Sequence, residues 1–172
     1  MTVIESLSKE HALFHKIIAR IDATLNLDEA AARLELKRAL LVLLPALDRH
    51  EAIESRVFMR PPRGGDAEAA RLAATISGQE KDIRRLHRDI LDILRETGEY
   101  DFPRLKSLAS ELCQKLREHF YMEESRLWPH QKESVPAGQG RAVERQAGRN
   151  VADLEREISR NWDLVADYVK SP

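Results

Sequence analysis

The chain has 172 residues, a length that suits one domain. Hydrophobic residues make up 42% and charged residues 33%, with only 7 Gly and 7 Pro, which excludes a disordered chain. Lys plus Arg (28) nearly equals Asp plus Glu (29), so the basic excess expected of a nucleic-acid binder is missing, and no polybasic run marks an acidic membrane surface.

The first helix is expected from Thr2 to Leu25. Ile4, Leu7, His11, Phe14, Ile18, Ile21 and Leu25 recur at steps of three and four, the spacing of a buried seam. Asn26-Leu27-Asp28 supplies a cap for a second helix, which runs to about Met59. Its seam is Leu36, Leu40, Leu43, Leu47, His50, Glu54 and Val57. Pro45 lies inside it and predicts a kink about one turn before His50. Pro61-Pro62-Arg63-Gly64-Gly65 is a break.

Asp66 caps a third helix that ends near Thr97, with Gly98 as the residue that stops it and Gly78 as a place to bend or split. Its seam is Ile76, Glu80, Ile83, His87, Ile90 and Leu94. Asp101 caps a fourth helix, with Pro103 in its first turn and a seam of Leu105, Leu112, Leu116, His119 and Glu123. That helix is expected to stop near Trp128-Pro129, and Ser134–Gly140 reads as a loose stretch. A last amphipathic segment, Arg141–Val169, carries Ala147, Val151, Leu154, Ile158, Val165 and Tyr168 at helical spacing.

Ala, Leu, Glu and Arg dominate and β-branched runs are missing, so the fold class is all-α. The expected architecture is an up-down-up-down four-helix bundle over residues 1–130. Residues 131–172 form a linker and a C-terminal helix packed on the bundle, with a dimer-forming or partner-binding arm as the alternative for that helix. Cys113 is the single cysteine, which rules out an intramolecular disulfide and suits a reducing compartment. The opening MTVIESLSKEH lacks the features of a signal peptide, and Ala39–Leu44 is too short an apolar run to span a bilayer. The expected location is the cytoplasm.

Four histidines occupy seam positions, one per helix: His11, His50, His87 and His119. His50 and His119 each have a carboxylate four residues later, Glu54 and Glu123, on the same helix face. A lone core histidine is usually a hydrogen-bonded structural residue, and a lone His/Glu pair at this spacing is usually a surface ion pair. Four imidazoles and two carboxylates in one core are different, because their desolvation costs several kcal/mol unless a metal offsets it. Imidazole with carboxylate suits iron, manganese or zinc. In an up-down-up-down bundle both carboxylates fall on one side of the histidine layer, which makes a symmetric two-metal site with bridging carboxylates.

The order H…HxxxE…H…HxxxE resembles the hemerythrin-like family of HHE cation-binding domains. The echoed helix ends Glu54-Ser55-Arg56-Val57-Phe58 and Glu124-Ser125-Arg126-Leu127-Trp128-Pro129 are similar to that family's usual ends. The resemblance covers about Leu7–Pro129. It implies a non-heme di-iron centre, oxo- or hydroxo-bridged, with His11, His50, Glu54, His87, His119 and Glu123 as ligands; zinc or manganese fits the same residues. It also implies a protein that binds or senses oxygen, nitric oxide or peroxide. The alternatives are a di-iron enzyme that consumes peroxide or oxygen, and an iron- or oxygen-responsive interaction module. The sequence lacks any Glu-x-x-His, so the ferritin-like pattern does not fit.

Oxygen-carrying members have a fifth histidine one turn before the third-helix ligand; here that position is Ile83, and its counterpart on the first helix is Leu7. His15 leaves the seam and is expected as a partly exposed or supporting histidine. His130 is expected in a loop. Glu51 and Glu124 are candidates to hydrogen-bond a ligand imidazole, and Cys113 reads as a small core residue.

Overall fold

The computed structural model describes residues 2–58, 67–96, 99–131 and 140–168, and these contain helices and no strand. Helix α1 (Val3–Thr24) starts in a capping box. The Thr2 hydroxyl accepts from the Glu5 amide at 3.2 Å, and the Thr2 amide donates to the Glu5 carboxylate at 2.7 Å. Helix α2 (Glu29–Phe58) follows a short turn, and the Asp28 carboxylate accepts from the Ala31 amide at 3.1 Å. So short a link makes α1 and α2 antiparallel neighbours. The helix continues through Pro45, whose ring lies on the exposed side.

Helix α3 (Ala67–Arg95) runs unbroken through Gly78, so the expected split there does not occur. Gly78 is exposed, and a side chain at that position would meet open space. Helix α4 (Phe102–Met122) begins at Asp101, whose carboxylate accepts from the Arg104 amide at 2.9 Å. At Met122 the chain does not stop. It passes through a π-helical turn (Glu123–Leu127) into a short helix α5 (Trp128–Gln131), so the backbone of His130 is helical rather than looped. Helix α6 spans Gly140–Tyr168. The Pro61–Gly65 break, the Asp66 cap, Gly98 and most of the Ser134–Gly140 stretch lie outside the described residues.

α1 packs on α2 and α4, and α3 packs on α4, as a four-helix bundle requires. α6 lies along α1 and α2 and buries Ala147, Val151, Leu154 and Trp162 against them. Polar contacts hold it in register: Glu157 pairs with Arg49 at 3.2 Å, and the Asn150 amide donates to the Arg49 carbonyl at 3.4 Å. The Arg20 guanidinium sits over the Trp162 ring at 5.4 Å. Between α2 and α3 the link is made by long side chains, with Arg84 reaching Glu51 at 3.1 Å.

The core falls into two apolar clusters. The larger joins Phe14, Ile18, Leu43, Leu47, Ile83, Leu86, Leu112 and Leu116, among others. The smaller joins Val3, Leu7, Ile53, Ile76, Leu127 and Trp128 at the other end. On α1 the residues between them are Glu10 and His11, on α2 His50, on α4 His119, and in the π-helical turn Glu123. A polar layer therefore divides an otherwise apolar bundle, and it needs its own source of stability.

Candidate metal centre

Three helices deliver the layer. The donor atoms of His11, His50, Glu54 and Glu123 all lie within 4.8 Å of one another, and all four residues are buried. The i,i+4 spacing places His50 Nε2 3.3 Å from Glu54 Oε1, and His119 Nε2 3.2 Å from Glu123 Oε1. The other oxygen of Glu123, Oε2, is 3.5 Å from His11 Nε2. One carboxylate thus turns its two oxygens to histidines of two different helices, the disposition a bridging ligand needs.

The two imidazoles of α1 and α2 meet through their Nε2 atoms, 3.0 Å apart, with the rings tilted by 54°. Each is held from behind. His50 Nδ1 donates to Glu10 Oε2 at 2.9 Å, and His11 Nδ1 donates to Glu124 Oε1 at 2.9 Å. A carboxylate accepts only, so both Nδ1 atoms carry protons and both Nε2 atoms point inward. Aromatic rings close the surroundings: His11 stacks on Phe120 (4.1 Å) and Trp128 (4.9 Å), and Phe14 meets His50 edge-on at 5.3 Å.

Electrostatics agree with this arrangement. Burial presses the His50 imidazole toward neutrality, but Glu54 and Glu10 outweigh it and leave its pKa well above the ordinary histidine value. His11 moves well below that value through burial and the neighbouring His50. His50 therefore keeps its proton and donates it to the His11 Nε2 lone pair. Burial and the neighbouring Glu54 lift Glu123 well above the ordinary carboxylate range. Burial takes His119 down to about 4. A proton shared between two inward imidazoles stands where a pair of ligand nitrogens holds a cation.

The donor set fits a metal on a second ground. Both oxygens of Glu54, Glu123 Oε2 and His119 Nδ1 are buried without a hydrogen-bond partner. Buried polar groups are nearly always satisfied, so such a cluster of orphans calls for a ligand. Nitrogen and oxygen donors of this kind suit iron, manganese or zinc.

The sequence-predicted residues are not all drawn together. His119 touches the four-residue group through Glu123, while His87 stands outside it, with Nδ1 at 3.3 Å from the exposed Asp48 carboxylate. Leu7 and Ile83 are fully buried beside the layer. His15 is exposed and meets Phe120 edge-on at 5.7 Å. Of the two carboxylates considered as supports, Glu124 reaches an imidazole and Glu51 does not; Glu51 pairs with Arg84 instead. The Cys113 thiol is in the core, and burial raises its pKa to about 12.

Glu10 was the residue the seam concealed. It is 1% exposed, as buried as the histidine beside it. A signal existed, since Val3, Glu10, Ile17 and Thr24 are spaced seven apart and all four are buried. A carboxylate in phase with Val and Ile marks a wider buried face than the a/d seam alone.

Fold and site together define a helical-bundle cation-binding protein. The family model of the hemerythrin HHE cation binding domain matches residues 2–130, and the chain belongs to that family. The match ends before α6. No curated protein and no solved structure matches the chain.

Proposed function

We propose that the chain is a non-heme di-iron protein that binds or senses a small ligand (oxygen, nitric oxide or peroxide) at a carboxylate-bridged two-metal centre. The ligands in this reading are His11, His50, Glu54, His87, His119 and Glu123. The observation that carries it is the buried cluster of His11, His50, Glu54 and Glu123 with its unpartnered carboxylate oxygens. Iron bound there would supply one-electron redox chemistry and open coordination positions.

The chain's own residues do the rest. Glu10 and Glu124 fix the tautomers of His50 and His11, so that Nε2 faces the centre. Glu123 reaches both halves with its two oxygens. Leu7, Ile83, Phe120 and Trp128 are buried around the layer and keep bulk water out. No helix among the described residues is long and apolar enough to cross a membrane, in keeping with a reading in which the protein works in the cytoplasm.

The test is elemental analysis with an optical spectrum on protein produced in iron-replete cells. About two irons per chain with oxo-bridge charge-transfer bands is the expected result. A single zinc, or no metal, overturns the di-iron reading. Catalytic loss of added peroxide by the iron-loaded protein would favour an enzyme over a binding or sensing protein.

A further inference from the structure

The four histidines proposed as ligands are not equally supported. On the α1/α2 side, each far ring nitrogen has a carboxylate at 2.9 Å from another helix or turn: Glu10 for His50 and Glu124 for His11. Glu10 is almost wholly buried, so little water competes for that contact. On the α3/α4 side, His119 Nδ1 has no partner, and His87 Nδ1 has only Asp48, whose side chain is 65% exposed. Asp48 also lines an open groove between α2 and α3, of about 220 Å³, together with Glu51, Ser55, Glu80 and Arg84. Both histidines of one side are therefore braced at 2.9 Å, one of them by a buried carboxylate, while the other side has only an exposed aspartate at 3.3 Å.

The distances follow the same division. His11 and His50 are already converged with Glu54 and Glu123 into one compact set of donors, whereas His87 and His119 lie outside that set. A carboxylate on the far nitrogen of a ligand imidazole holds the ring in place and makes it a stronger donor, typically by about 10–100-fold in metal affinity.

We propose that the two metal positions are unequal: His11 and His50, braced by Glu10 and Glu124, form a preassembled position that fills first and holds its metal tightly, and His87 with His119 forms a second, weaker and more exchangeable one. Glu10 and Glu124 are then positioning residues for the first metal. The inference rests on the two-metal reading above and adds an order of filling to it.

The experiment is anaerobic titration of the metal-free full chain with iron(II), followed by calorimetry and by elemental analysis after gel filtration. The wild-type chain is expected to take up two irons in two phases separated by at least about tenfold in Kd, with the second iron lost first to a competing chelator. H87A is expected to keep one iron with the tight Kd changed less than about threefold. E10Q and E124Q are expected to weaken the tight phase by about 10–100-fold and leave the weak phase unmoved. A merely structural role for these carboxylates would not separate the phases in that way. Glu124 is half-exposed, so E124Q keeps the test informative if E10Q does not fold.

Two irons bound with equal affinity would overturn the inference and leave the two-metal centre standing, as would loss of both irons in H87A. An unchanged tight phase in E124Q together with a folded, unchanged E10Q would overturn the role of the bracing carboxylates. Failure of the wild-type chain to bind a second iron, or any iron, would overturn the two-metal reading itself.

Discussion

The α1/α2 half of the polar layer and the α3/α4 half contain the same residue types at the same spacing, yet their surroundings differ. His50 is in contact with His11, Glu10 and Glu54, all buried, and α6 covers the outer faces of its helix and of α1. His119 has one buried carboxylate, Glu123, and a bare Nδ1; His87 looks to an exposed aspartate. Identical HxxxE motifs thus give one half whose histidines both have a carboxylate on the far ring nitrogen at 2.9 Å, and another in which His119 has none. The lesson is that a ligand motif specifies which face a donor occupies, while the residues behind it decide how ready that donor is.

The largest expected effect separates the halves by stability. In the metal-free protein, His50→Ala leaves Glu10 and Glu54 buried without their cationic partner, which costs about 3–5 kcal/mol. His119→Ala removes a neutral imidazole whose Nδ1 is already unpartnered, and is expected to cost less, about 1–3 kcal/mol. Urea unfolding of both variants, followed by circular dichroism, measures the difference. Equal losses would erase the comparison.

A second measurement asks how tightly the less braced half is closed. Cys113 sits on α4, 1% exposed, with its thiol pushed up to about 12. At neutral pH this leaves about a thousandfold less thiolate than a free cysteine has, before access is considered. Labelling by a disulfide reagent is therefore expected to be at least about a thousandfold slower in the native chain than in urea. Metal loading is expected to slow it further if the α3/α4 half tightens on the second metal. Rapid native labelling would mean that α4 opens far more readily than its packing suggests.

The smallest effect serves as a control away from the site. Gly78 lies in the exposed interior of α3 with open space around it, so Gly78→Ala is expected to stabilise the chain by about 1 kcal/mol. Thermal melting measures this, and iron affinity at both positions is expected to stay unchanged. A loss of stability would mean that the helix needs its glycine.

Much of this was legible in the chain itself. Periodicity located the helices to within a few residues, because an apolar stripe recurring at three and four has few ways to be buried other than in a bundle. Asp28 and Asp101 act as the expected caps, since a carboxylate there satisfies an amide that the helix cannot. His11, His50, His87, His119 and both HxxxE carboxylates are buried where the seam put them. Gly78 shows the limit of local rules. A glycine lowers helix propensity, but the buried apolar residues on either side of it, Ile76 and Ile83, keep the helix continuous through it.

What the sequence alone determined was composition by layer: an all-α chain, a bundle, and a buried plane of histidine and carboxylate donors. These depend on neighbours one or two turns apart, and such neighbours are fixed by helix geometry. The tertiary structure decided the pairings between helices. Glu10 reaches His50 across 40 positions of chain, Glu124 reaches His11 across 113, and Glu51 turns to Arg84 rather than to an imidazole. The π-helical turn after Met122 sets Glu123 and Glu124 on two sides of one ring, at His11 Nε2 and His11 Nδ1. Which carboxylate stands behind which histidine depends on how helices rotate and slide against one another, and that is set by the packing of the whole core rather than by any local spacing.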